Sequence, residues 1–168
     1  MPLVLIGAGA NRKDAHEALS DFVDVTKIPF FNTQMGKGVI DERSDLFLGT
    51  AALSDGDYLH CAINRADLII NIGHDVIEKP PFFMEEGGKN VIHLNYKSAQ
   101  VDQVYFPQVE VVGDITASIT ALKDKLGGEI KFDKAYFEKI RGEVEAHIVE
   151  GADAVSYTHL TLPTIYSV

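Results

Sequence analysis

The sequence predicts an α/β fold, a doubly wound parallel sheet of six strands flanked by helices, and three observations predict it. Short apolar runs alternate with amphipathic helical patterns along the chain. Glycine-bearing loops follow several of those runs, the place where open α/β sheets build their ligand crevice. The chain opens Pro2-Leu-Val-Leu-Ile-Gly-Ala-Gly-Ala-Asn11, an apolar run that breaks into closely spaced glycines and then a helical pattern. At 168 residues and 46% hydrophobic it is long enough for one domain with a core of its own.

Val4, Leu5 and Ile6 suit a strand buried on both faces, and Gly7 and Gly9 let the backbone turn sharply. Asn11 stands where it would cap the helix that follows. A turn of this kind is expected to leave N–H groups unpaired and facing outward, a seat for phosphate. Ala15, Ala18, Leu19, Phe22 and Val23 then recur at helical spacing, with Lys13, Asp14, Glu17, Asp21 and Asp24 opposite, so the helix is amphipathic and ends near Lys27. Ile28 to Asn32 reads as the second strand, with Pro29 tolerated at its start.

The loop Thr33-Gln-Met-Gly-Lys-Gly38 and the stretch Leu46-Phe-Leu-Gly-Thr50 come next. Their glycines, Gly36, Gly38 and Gly49, either face the same crevice as Gly7 and Gly9 or merely punctuate turns. Ser54 to Asp57 is expected to cap a helix over Tyr58 to Ala66, and Asp67 to Gly73 is the clearest buried strand. Residues 74–90 hold two prolines and two glycines and read as a loop; with no triad spacing around it, His74 reads as a loop histidine rather than an acid or base. Val91 to Asn95 and Val109 to Asp114 complete the strands. Ile115, Ile119, Leu122 and Leu126 mark a closing helix that Asp114 can cap.

Gly127-Gly128 ends a domain placed at 1–128. Phe137, Ile140, Val144 and Ile148 describe one further helix, expected to dock on a neighbour or to form a linker over 129–155. Ser156 to Val168 contains no Asp, Glu, Lys or Arg, against 24% in the whole chain, and resembles translated sequencing-adapter sequence; it is read as a non-native tail.

A formal charge of −10 and a pI near 4.9 argue against nucleic-acid backbones and anionic membranes as partners. The lone Cys61 forms no internal disulfide, and no signal peptide or membrane-length apolar run is seen, so the expected address is cytoplasmic. Adjacent His60 and Cys61 point apart on any regular element and read as incidental rather than metal-binding. The dinucleotide fingerprint requires a third glycine where Arg12 stands and an acidic end to the second strand, which here ends Asn32-Thr33. An NAD-linked dehydrogenase is therefore disfavoured, and no Walker-type loop is present.

Six motifs in order carry a resemblance: Pro2 to Ala10, Ile28-Pro-Phe-Phe-Asn-Thr-Gln-Met-Gly-Lys-Gly38, Phe47-Leu-Gly49, Ala66-Asp-Leu-Ile-Ile-Asn-Ile-Gly73, Val91-Ile-His-Leu-Asn95 and Val112-Gly-Asp114. Over residues 2 to about 126 the chain resembles the central domain of thiamine-diphosphate-dependent enzymes, nearest to acetolactate synthase large subunits. The resemblance implies a Rossmann-like domain standing between two catalytic domains of one parent enzyme. Thiamine diphosphate and magnesium would be held in those other domains, and the fragment alone would have no catalytic residue and no metal site. The parent would decarboxylate a 2-oxo acid and condense it with another, as a homo-oligomer.

Anabolic relatives bind FAD in this domain, and matching the pattern points to Gly7, Ala8, Gly9, Thr33, Gln34, Met35, Gly49, Gly73 and Asp114. Those relatives carry an arginine where this chain has Asp75, and a carboxylate repels a pyrophosphate. The segment Gly73 to Glu78 looks more like catabolic acetolactate synthases, which do without flavin, so an unoccupied site is the favoured reading. A free-standing FAD- or ADP-binding module without catalysis is the alternative.

Overall fold

The structure, a computed structural model, describes residues 1–51, 59–74, 89–99 and 107–152. The expected cap at Ser54 to Asp57, the Asp75 to Glu78 segment and the tail from Ser156 lie outside the described residues. Six strands, β1 (Pro2–Ile6), β2 (Phe30–Asn32), β3 (Phe47–Thr50), β4 (Leu68–Ile72), β5 (Asn90–Asn95) and β6 (Val109–Val112), form one sheet in the order β3-β2-β1-β4-β5-β6. Every pairing is parallel, with Ile6 opposite Asn32 on one side and opposite Ile72 on the other. The order reverses at β1, which places a switch point between β1 and its neighbours.

Because side chains alternate along a strand, each strand feeds two cores. Val4, Ile6, Phe30, Ile70, Ile72 and Leu94 meet α1 (Lys13–Thr26) and α3 (Ile115–Leu126) through Leu19, Phe22, Ile115 and Ile119. Leu3, Leu5, Phe31, Leu48, Ile69 and Val91 meet α2 (Leu59–Arg65) and α4 (Ala135–Ala152) through Leu59, Ala62, Ile63, Phe137 and Ile140. Burial on both faces is what an all-parallel sheet requires, and it explains runs as apolar as Leu68-Ile-Ile-Asn-Ile72.

The helix ends follow local chemistry, with one correction. Asp114 caps α3 as expected, its carboxylate accepting from the Ala117 N–H at 2.8 Å, and Gly127 closes that helix in the left-handed region at φ 71°. Asn11 does not cap α1. A 3-10 turn over Ala8–Ala10 intervenes, the cap position falls to Arg12 with no side-chain bond, and the Asn11 amide instead donates to the Met35 carbonyl at 3.4 Å. Lys27, left-handed at φ 56°, ends α1 and donates its N–H to Val23.

The apolar stripe of α4 packs on this sheet. Phe137 is 1% exposed, with its ring edge-on to Phe132 at 6.2 Å, and Ile140 and Val144 pack in the same core. Arg141 ties the helix to the loop before β3, donating to Asp45 and to Glu145 at 2.8 Å each, and the two carboxylates raise its pKa. Gly142 lies exposed in the middle of this helix, and a Cβ there would meet nothing within 4 Å. Gly142→Ala is accordingly expected to stabilise the fold by about 1 kcal/mol through lower unfolded-state entropy, measurable as a raised urea midpoint.

Candidate functional site

The carboxyl ends of β1 and β4 lie side by side, and the backbone that leaves them is locked together rather than open. Gly7 donates its N–H to Ile72 O at 2.9 Å and Gly9 donates to Gly73 O at 2.6 Å. Ala10, Asn11 and Arg12 donate to Gly7, Ala8 and Ala10 at 3.1, 3.0 and 2.8 Å. The expectation that this turn leaves its amides unpaired for phosphate is therefore overturned for those five groups. The cause is the neighbouring strand: β4 runs far enough for Ile72 and Gly73 to present carbonyls to the turn, and the 3-10 geometry consumes the rest.

Glycine is required here for close approach of backbone to backbone. A Cβ on Gly9 would fall 2.8 Å from the Gly73 oxygen, and one on Gly36 would fall 2.2 Å from the Ile6 oxygen. Gly73, at φ +67°, would carry its Cβ 2.3 Å from the Ala10 nitrogen. Gly36 therefore does more than punctuate a turn, whereas Gly38 at φ +77° has open space around it and does only that.

Of the nine residues matched on sequence, the structure brings seven together at this end of the sheet. Gly7, Ala8, Gly9 and Gly73 form the locked turn, and the 3-10 turn over Gln34–Gly36 adjoins it. Thr33 donates its N–H to Ile6 O at 2.9 Å and accepts from the Gly36 N–H at 3.1 Å through its hydroxyl, while Gln34 and Met35 face solvent, Met35 being 62% exposed. Gly49 lies inside β3 at φ +137°, where a Cβ would meet Val144 and Leu59 in the α2 and α4 core. Asp114 follows β6, three strands from β1, with its carboxylate engaged in the α3 cap.

Polar side chains that sequence reasoning did not single out hold the surrounding loops. Glu42 accepts from the Asn32 amide and from the Gly38 N–H, both at 3.0 Å, and the His16 ring donates from Nδ1 to Val39 O at 2.7 Å. Asn95, at the end of β5, donates to the His74 carbonyl at 3.0 Å and accepts from the Tyr96 N–H at 2.8 Å. The Arg12 guanidinium lies over the Tyr96 ring at 4.4 Å, a cation–π contact. Asparagine at a strand's carboxyl end was the available signal, since its side chain is short enough to reach backbone. His74 is itself 4% exposed.

Arg43 binds Asp41 in a fork, and those hydrogen bonds hold the Asp41 carboxyl down to about 2. A depressed carboxylate contributes its stability above the ordinary pKa and loses it as pH falls from near 4 towards 2. The pair is exposed and two residues apart, so the effect is local. The Asp41 carboxyl carbon, followed by NMR, is expected to titrate near 2 and to return to the usual carboxylate range in Arg43→Ala. Among the described residues no group of three or more His, Cys, Asp or Glu stands where it would hold a metal, and no helix is long and apolar enough to cross a membrane.

The order 3-2-1-4-5-6 and the glycine-locked turn belong to a wide set of nucleotide folds, and comparison with known proteins narrows it. A family model described as the thiamine pyrophosphate enzyme central domain matches residues 1–122. The chain belongs to that family. Acetolactate synthase large subunit from Porphyra purpurea is 36% identical over 132 residues, covering 77% of this chain and 22% of its own length. Acetolactate synthase from Bacillus subtilis (strain 168) is 29% identical over 157 residues, 90% of this chain and 26% of its own. Glyoxylate carboligase from Escherichia coli O157:H7 is 26% identical over 124 residues, 72% and 21% respectively.

This central domain thus spans about a fifth to a quarter of the curated relatives it matches. The family match stops within α3. The Bacillus alignment, at 90% of the chain, is too long to stop there and must take in α4.

Proposed function

We propose that this chain is the central scaffold of an acetolactate synthase-like enzyme, one that decarboxylates a 2-oxo acid such as pyruvate and joins the product to a second 2-oxo acid. Membership of the thiamine pyrophosphate enzyme family, with acetolactate synthases at 29–36% identity, supports this reading. Thiamine diphosphate supplies the carbanion chemistry when bound, and it and its magnesium ion are assigned to domains outside this chain. The parent is read as a soluble cytoplasmic homo-oligomer. The role of residues 1–152 is to hold those domains in register, a task for a rigid sheet with both faces filled.

The observation that carries the scaffold role is the locked turn. Five amides of the turn, those of Gly7, Gly9, Ala10, Asn11 and Arg12, already donate to protein carbonyls, and the Cβ positions of Gly9, Gly36 and Gly73 are filled by opposing backbone. This pairing supports reading the Gly7 to Gly9 turn as a nucleotide fold's turn kept as a structural lock rather than as a flavin pyrophosphate seat. Titration of the chain with FAD and with ADP by calorimetry is expected to give no saturable binding at micromolar concentration. Micromolar binding of either would restore Gly7, Ala8, Gly9, Gly73 and the Thr33 to Met35 loop as a nucleotide site.

The enzyme assignment is tested on the source DNA and its product. The reading frame continuing past Glu150 is expected to encode a Gly-Asp-Gly cofactor motif, and the full-length product is expected to release CO2 from pyruvate only with thiamine diphosphate and magnesium. A stop codon with no such motif downstream would remove the proposal.

A further inference from the structure

We draw no further inference here: the strongest candidate, the outer edge of the sheet at β6 with Val109 and Val112 each 50% exposed, is an apolar edge unpartnered among the described residues, and nothing in the structure shows what covers it.

Discussion

Phe137→Ala is expected to lower the unfolding free energy by about 3–5 kcal/mol, the range for emptying a buried aromatic site. The ring is 1% exposed and sits among Leu48, Leu59, Ile63 and Ile140, with Phe132 and Tyr136 edge-on at 6.2 and 6.4 Å. Total stabilities of about 5–15 kcal/mol make such a loss a large share of the whole. By contrast, Arg141→Ala breaks ion pairs to Asp45, which is 95% exposed, and to Glu145, and contacts of that kind contribute under about 1 kcal/mol. Urea unfolding of the two variants separates two views of α4. Were the helix a tether leading to another domain, both substitutions would leave the midpoint where it is. As part of the second core it makes F137A the far costlier change, and truncation after Gly128 is expected to give an aggregating protein, because Leu48 of β3 and the α2 side chains Leu59 and Ile63 would lose cover.

The same comparison shows what the sequence made legible. Strands such as Asp67 to Gly73 are readable because two-sided burial leaves continuous apolar runs, and α1 is readable because Leu19, Phe22 and Val23 keep one face. An amphipathic stripe on α4 announces that the helix is buried but not against what; the partner, β3, lies far away in sequence. Asn11 carried a good local cap signal, and the intervening 3-10 turn defeated it by shifting the helix start and giving the amide another carbonyl. The phosphate seat failed for a related reason. Glycine spacing reports that a backbone turns sharply there, whereas the carbonyls that meet the Gly7 and Gly9 amides come from Ile72 and Gly73, more than sixty residues on.

Gly73→Ala puts that last point to the test, with an expected loss of about 3 kcal/mol or more. An L-residue at φ +67° costs about 1–2 kcal/mol in backbone energy alone. The added Cβ would also stand 2.3 Å from the Ala10 nitrogen and 2.7 Å from the Gly9 carbonyl carbon, both backbone atoms with no rotamer to escape through, so the β1 and β4 exits must part. Gly38→Ala provides the matched control. At φ +77° it carries the same left-handed cost, but a Cβ there meets nothing within 4 Å. The difference between the two variants, read from urea midpoints at equal slope, isolates the packing of one turn on the other. If the turn were an open cradle waiting for a ligand, the two would cost the same. An excess for Gly73→Ala means that the glycines at the switch point serve the joining of β1 to β4, where each lets one backbone approach the other more closely than a side chain allows.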